Sequence, residues 1–502
     1  MFPLPGNDSM KNKELAYLIQ EFERRHFNSY QKFLIRGFFE WQVIKRPMFY
    51  GLIRQQISSI TSNRRKKNFF SELILPFLAF PFKLIATRIK KGKNTVLVVT
   101  HGIYKFDKTD DGKLINNFGD HWYHLAGPGK AIFTEYSLNN QPGAIPRDFD
   151  INFIGTIARL ITSLALKLGG NRNSSKYFAK ALKEHLPLQV SEKQYRRMIS
   201  SSRIKFLTDY YFFSFIFRVL KPRIVIVTDA VATGLMAAAN RRKIIVIENQ
   251  HGHFDENKAD YVLNRETVGQ YPDKLIRPDF IAVFGNFFRE AMMRFSIWKE
   301  EQVVPVGNVR IDRYRKQKEN VSASEELKIL IPTQWPLFED TKKLLAELAK
   351  ISLARPFVFI IKLHPREPAS HLEWFEAFVS ANPHFRLSRN ESNLYELFLS
   401  ADLAIGFDST ALYEAVAMGL PTVTLPTAET PRGIHTYIKD KRIEEALRFL
   451  QIGEVNDLIS KWDNDQDFRD EWKKLTMLAG NFLYSTNCYE NCGKLLNSLK
   501  RK

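Results

Sequence analysis

Three histidines stand directly after apolar runs, where a strand would present its last side chains to a ligand: His364 in FVFIIKLHPRE, His251 in IIVIENQHGHF and His101 in VVTHGIYKFD. An imidazole with its ordinary pKa near ~6.5 exchanges a proton at neutral pH, and when charged it meets anions. His364 is flanked by Lys362 and Arg366, so this strand end offers three groups to a phosphate. Further on, SADLAIGFDSTALYEAVAMGLPTVTL reads strand, tight loop, helix, loop, strand. Asp408, Ser409 and Thr410 are residue types that cap a helix N-terminus. The N–H groups and dipole of that first turn suit an anion, and the two hydroxyls would add donors. Glu414, one turn later, can accept hydrogen bonds from ribose hydroxyls.

The first half offers groups for proton transfer and for a second substrate. His251 is the first choice for a general base, with Gln250 before it and Gly252 after it allowing close backbone approach. Asp120, in FGDHWYHL with His121 and His124, is the carboxylate alternative. His101 and Asp229, which follows IVIVT, are further candidates for acceptor binding or for orienting a histidine. The plainer reading of each is a strand-end polar residue that caps the next helix.

These residues need elements to hold them. Short β-branched runs at 96–99, 224–227, 244–247 and 280–284 are separated by amphipathic stretches. Continuous apolar runs of this length mark strands covered on both faces, and interposed helices make the sheet parallel. The pattern recurs from Lys328 in KILIP, FVFIIKL, DLAIG and TVTLP, with a crossover helix expected over 340–353. The expected fold class is α/β with two Rossmann-like domains and a helical N-terminal extension. Its divisions are a basic helical region 1–94, an acceptor domain 95–315, a donor-nucleotide domain 328–440 and C-terminal helices 441–502. A polar, basic linker, DRYRKQKENVSASEE, covers 312–326. Open parallel sheets bind ligands beyond the carboxyl ends of their strands, where the candidate residues fall.

With 502 residues, 44% hydrophobic and 25% charged, the chain is long enough for two cores and is not a disordered type. The net charge of +20 points to an anionic partner. From Trp41 to Lys93 there are twelve Lys/Arg and one acid, Glu72, and Arg64 to Lys67 precede Phe69 and Phe70. This texture suits an anionic membrane surface, or else a solvated helix face. No nucleic-acid module accompanies the charge, so nucleic acid is not expected as a partner. The two cysteines, Cys488 and Cys492, exclude a disulfide framework and read as reduced thiols of a cytoplasmic protein. No secretory signal is visible, and the most apolar stretch, 73–82, is half the length a bilayer requires.

Together, KLHP and ADLAIGFDSTALYEAVAMGLP resemble the C-terminal domain of GT-B-fold sugar-nucleotide enzymes, nearest the bacterial CDP-glycerol glycerophosphotransferases and the capsule-type glycosyl- and sialyltransferases. The same segment is similar to UDP-N-acetylglucosamine 2-epimerases, though Thr410 and Ala411 replace the Gly-Gly pair of their turn. VVPVGNVRID (303–312) and ILIPTQW (329–335) resemble the junction and the C-terminal domain opening of that superfamily, which implies that Thr333 and Gln334 face the cleft, with Thr333 among the donor-binding residues. The resemblance implies that His364, Ser409 and Thr410 meet the donor phosphates, that Asp408 and Glu414 hold diphosphate and ribose, and that QHG carries a catalytic His251. It further implies a donor cleft between two halves, with Arg432 of TPRGIH at the domain junction. The expected function is metal-independent, inverting transfer of a sugar or polyol phosphate from a nucleotide-sugar or CDP-polyol donor. The acceptor would be a hydroxyl of a surface polysaccharide or lipid-linked glycan, with the enzyme cytoplasmic or peripheral at the inner membrane. No cofactor is implied, and the Asp-x-Asp that GT-A enzymes use to hold a metal is missing after any strand. A 2-epimerase and a non-catalytic assembly scaffold are the alternative readings.

Overall fold

The computed structural model describes the chain except for residues 1–11, 31, 58–74, 94, 102–104, 109–111, 137–143, 150, 152–153, 155–156, 158–160, 162–172, 189, 229–232, 253–270, 319–324, 366, 390–392, 429, 433–439 and 501–502. Asp229 and Arg366 therefore lie outside the described residues, as do the Arg64 to Lys67 run and its following phenylalanines. The chain divides into two compact units. One comprises residues 1–283, 289–304 and 492–502; the other comprises 284–288 and 305–491.

In the first unit the apolar runs form a six-stranded sheet: β1 (Val96–His101), β2 (Ala131–Tyr136), β3 (Ile224–Thr228), β4 (Ile245–Asn249), β5 (Phe280–Val283) and β6 (Val303–Pro305). The order is β6-β5-β4-β3-β1-β2, with parallel pairing from β2 through β5. Every residue of β3 is buried, as expected of a strand with helices on both faces. Leu97, Val99, Val225 and Val227 pack against Leu84 of helix Leu75–Lys91 and against Phe206, Phe213 and Phe217 of helix Glu192–Leu220. A second core joins helices Asn12–Tyr30 and Glu40–Ile57 to helix Asn173–His185 through Phe22, Trp41, Met48 and Phe178. Two buried ion pairs brace it, Lys45 to Glu23 and Arg203 to Glu40, each at 2.7 Å. The described part of the N-terminal region is thus packed into the first unit.

The second unit repeats the plan with β7 (Leu327–Pro332), β8 (Phe357–Lys362), β9 (Phe385–Ser388), β10 (Leu403–Gly406), β11 (Thr422–Thr424) and β12 (Leu447–Phe449). Its order is β9-β8-β7-β10-β11-β12, parallel throughout. The chain winds outward from β7 in one direction, then crosses back and winds in the other. The switch point therefore lies between β7 and β10, and there the carboxyl ends open a crevice. The crossover helix expected over 340–353 is Phe338–Leu348. The stretch read as a linker over 312–326 begins as helix, because Val309–Lys318 continues through DRYRKQK and buries Ile311 and Tyr314.

Candidate functional site

Three strand ends are tied together at the switch point of the second unit. Thr333, one residue past β7, is buried, and its Oγ1 accepts the His364 N–H at 3.0 Å and donates to Glu367 Oε2 at 3.2 Å. Glu367 also holds His371 Nδ1 at 2.8 Å, and Phe338 stacks on that ring at 3.8 Å. The peptide of His364 is therefore fixed, while its side chain stays half-buried. Across the crevice, the Gln334 amide, oriented as its neighbours require, donates to Asp408 Oδ1 at 3.1 Å and accepts the Ser409 N–H at 3.3 Å. Ser409 is the N-cap of helix Thr410–Ala417, its Oγ accepting from the Ala411 N–H at 3.2 Å.

This arrangement modifies the expected anion site. Three N–H groups around the first turn are already engaged: Ser409 by Gln334, Ala411 by the Ser409 hydroxyl and Leu412 by the Ser409 carbonyl. What the helix start still offers an anion is its dipole and the exposed Thr410. Lys362 is buried and its ammonium donates to the Arg389 carbonyl, so its charge is committed to the end of β9. Thr333 likewise uses its hydroxyl within the protein.

Glu414 lies on the same helix inside a cluster that the sequence reading did not assemble. Burial raises its carboxyl above the ordinary range, while a hydrogen bond from the Tyr395 hydroxyl and the charge of Arg310 pull it back. Arg310 stacks on the Tyr395 ring at 3.9 Å and donates to Asn393 Oδ1 at 3.1 Å. The Asn393 amide in turn donates to the Tyr314 hydroxyl at 2.6 Å. Arg310 belongs to the GNVRID motif, and its position just past Gly307-Asn308 is the only signal that could have marked it. Arg432 is exposed and lies 3.7 Å from Glu444.

In the first unit, the row of residues at the carboxyl end of the sheet is polar. Thr100 pairs with Glu135, Thr228 with Asn249, and Val99 with Val227, so Glu135, Thr100, Thr228 and Asn249 share one row. The turn after residues 114–116 closes over it: Asn116 bonds Thr100, Glu135 and the His101 carbonyl, and Asn249 donates to the Phe118 carbonyl at 3.2 Å. Asp120 accepts the Asn116 N–H at 3.0 Å, which makes it a brace for this turn. Both amide atoms of Asn117 and the Thr228 hydroxyl are buried with no protein partner among the described residues. Such groups are rare and ordinarily meet a water or a ligand. Sequence reading passed over Asn117, although an Asn-Asn pair after a strand is a usable sign.

His101 stacks on Tyr136 with ring centroids 5.0 Å apart, and His251 is half-buried just past β4. Gln250 is fully buried, and its amide donates to the Gly252 carbonyl at 2.9 Å, which shapes the turn carrying His251. His121 is buried, and that burial, helped by His124, pushes its pKa down to about 3. Both cysteines are buried, and within the first unit the His121 ring comes within 4.8 Å of the Cys492 thiol.

Two doubly wound parallel sheets, each with polar residues gathered at its strand ends, define a protein of two Rossmann-like domains. No family model and no curated protein matches the chain. Solved structures similar to it include a UDP-N-acetylglucosamine 2-epimerase, at 15% identity and TM-score 0.47 over 82% of this chain and 97% of that one. Others are the UDP-GlcNAc 2-epimerase from Neisseria meningitidis bound to UDP-GlcNAc (12%, 0.42, 81% and 100%) and the wall teichoic acid polymerase TagF (12%, 0.44, 87% and 99%).

Proposed function

We propose that the chain is a metal-independent transferase that moves a sugar or polyol phosphate from a nucleotide-activated donor to a hydroxyl of a surface glycan or lipid-linked acceptor. The observation that supports this reading lies at the switch point, where the adjacent residues Thr333 and Gln334 hydrogen-bond the His364 turn and the Asp408–Ser409 turn. The donor diphosphate would lie against the His364 ring, Thr410 and the start of helix Thr410–Ala417, with Glu414 and Arg310 toward the ribose. As the bond from donor carbon or phosphorus to its leaving phosphate breaks, negative charge develops on that phosphate. The helix dipole and a charged His364 stabilise it there.

The acceptor would occupy the polar row of the first unit, where Asn117 and Thr228 supply unmatched hydrogen-bonding groups. His251 takes the proton from the acceptor hydroxyl as that oxygen bonds to the donor, and direct displacement inverts a sugar's anomeric centre. Asp120 is the alternative base, although its carboxylate already braces the 116–120 turn. A lipid-linked acceptor would place the enzyme at the cytoplasmic face of a membrane. Among the described residues no helix is long and apolar enough to cross one.

The test is product analysis with labelled donors, each incubated alone and with acceptor glycans. Transfer that needs an acceptor, and that falls roughly 10²–10⁴-fold in kcat in His251→Ala, supports the reading. Conversion of UDP-N-acetylglucosamine to its 2-epimer without an acceptor would replace it with epimerase chemistry. Transfer unchanged in both His251→Ala and His364→Ala would remove these histidines from the mechanism.

A further inference from the structure

Helix Leu75–Lys91 is apolar on two opposite faces. Phe80 and Leu84 point into the core of the first unit, with Thr87 and Lys91 continuing the buried stripe. On the other side Leu78, Phe82, Ile85 and Ile89 recur at steps of four, three and four, which places them in a single line along the helix. These four are 59%, 76%, 51% and 79% exposed. A surface helix normally turns charged residues to solvent on this side, and contiguous exposed apolar area marks a docking surface. The stripe continues onto helix Glu192–Leu220 through the exposed Tyr211 and Phe215. Between the two helices runs an apolar groove of about 750 Å³, lined by Leu78, Phe80, Ile161, Leu207, Tyr211 and Phe215 among others.

The charges around the patch select its occupant. Helix Leu75–Lys91 contains no acid. Lys83 and Lys90 are exposed along one flank of the stripe, and Arg218 is exposed one turn beyond Phe215. Arg36 lies over the Tyr211 ring at 4.5 Å, on a hairpin whose Leu34 is also exposed. The nearest acid on the second helix, Asp209, is buried and paired with Lys205 at 2.8 Å. Bulky apolar side chains in a line, rimmed by cations and with no exposed acid among the described residues of helix Leu75–Lys91 or the Tyr211–Phe215 turns, match a bilayer interface: rings and aliphatic chains enter the headgroup boundary while lysines reach anionic headgroups. A second copy of this basic chain would bring further positive charge to the patch.

We infer that this face, formed by helix Leu75–Lys91 and the Tyr211–Phe215 side of helix Glu192–Leu220, docks on the surface of an anionic phospholipid bilayer without crossing it. The inference names the membrane contact that a lipid-linked acceptor would call for. It rests on the transferase reading only for its purpose, because the binding itself needs neither donor nor acceptor.

Vesicle flotation of the full chain tests it, using phosphatidylcholine vesicles with and without about a third phosphatidylglycerol. Wild type should float with the anionic vesicles and remain largely unbound with the neutral ones. Phe82→Glu with Ile89→Glu should weaken binding about tenfold or more, and Lys83→Gln with Lys90→Gln should reduce the preference for anionic lipid. All four side chains are exposed, and an unchanged melting temperature verifies that the variants fold. No flotation by wild type, or flotation unaffected by both double substitutions, overturns the inference. So does lipid-free self-association that the Phe82/Ile89 pair abolishes, which would assign the face to a second copy. Loss of transfer activity with flotation intact would fault the transferase reading alone.

Discussion

Ser409 has two possible duties, capping a helix and admitting a phosphate, and they respond differently to substitution. Its hydroxyl caps Ala411 N–H at 3.2 Å. Aspartate also caps well and complements the dipole, so Ser409→Asp should keep unfolding stability within about 0.5 kcal/mol of wild type. The added negative charge would repel a donor diphosphate, and nucleotide affinity should drop about tenfold or more. Urea unfolding and calorimetry on the same sample check both halves. His121 gives a prediction in pH. Its lowered pKa means that the folded protein keeps the ring neutral while the unfolded chain protonates it near ~6.5. The associated stability is fully present above that value and is lost as pH falls toward about 3. The slope is about 1.4 kcal/mol per pH unit. His121→Leu should flatten the stability–pH curve by that slope, as read from urea midpoints over the acid range.

At the scale of elements, a cation ties helix ends of the second unit together. Arg315, on helix Val309–Lys318, donates to the carbonyls of Ala417 at 2.6 Å, Gly480 at 3.0 Å and Tyr484 at 3.0 Å. These carbonyls end two helices that cross closely; a Cβ on Gly480 would lie 2.5 Å from the Val416 oxygen. Arg315→Met should remove three hydrogen bonds, leaving the Ala417 and Tyr484 carbonyls without this donor and Gly480 with only the Tyr484 N–H, and cost about 3 kcal/mol in urea unfolding.

The central strands were legible because burial on both faces leaves uninterrupted β-branched runs. The edge strands were not: AIFTEY is interrupted by Thr134, which donates to the Phe149 carbonyl at 2.8 Å, and by Glu135 of the polar row, and FRLS is buried only at its two ends. The candidate residues at the strand ends could be named because strand ends follow those runs directly. Gln334's hold on Asp408 and the Arg310–Tyr395 cluster around Glu414 join segments about 70 to 100 residues apart, and only the winding order of the sheet brings them together. Helix Leu75–Lys91 falls in the region expected to be helical and runs through Pro81, which breaks the apolar stretch in the sequence.

At the scale of the whole chain, two sheets of the same plan carry different strand-end chemistry. The first gathers buried amides and hydroxyls suited to a polyhydroxylated acceptor, the second a histidine and a helix start suited to phosphate. The +20 charge fits a protein whose expected ligands, a nucleotide donor and an anionic lipid surface, are both negative. Everything depends on a donor phosphate meeting the second crevice. The direct measurement is calorimetric binding of UDP, CDP, GDP and CMP to wild type and to His364→Ala. The account predicts that one nucleotide binds wild type and that the alanine variant, folded to the same melting temperature, binds it about tenfold more weakly or less. Equal affinity in the two proteins, or no binding of any of the four to wild type, would contradict it.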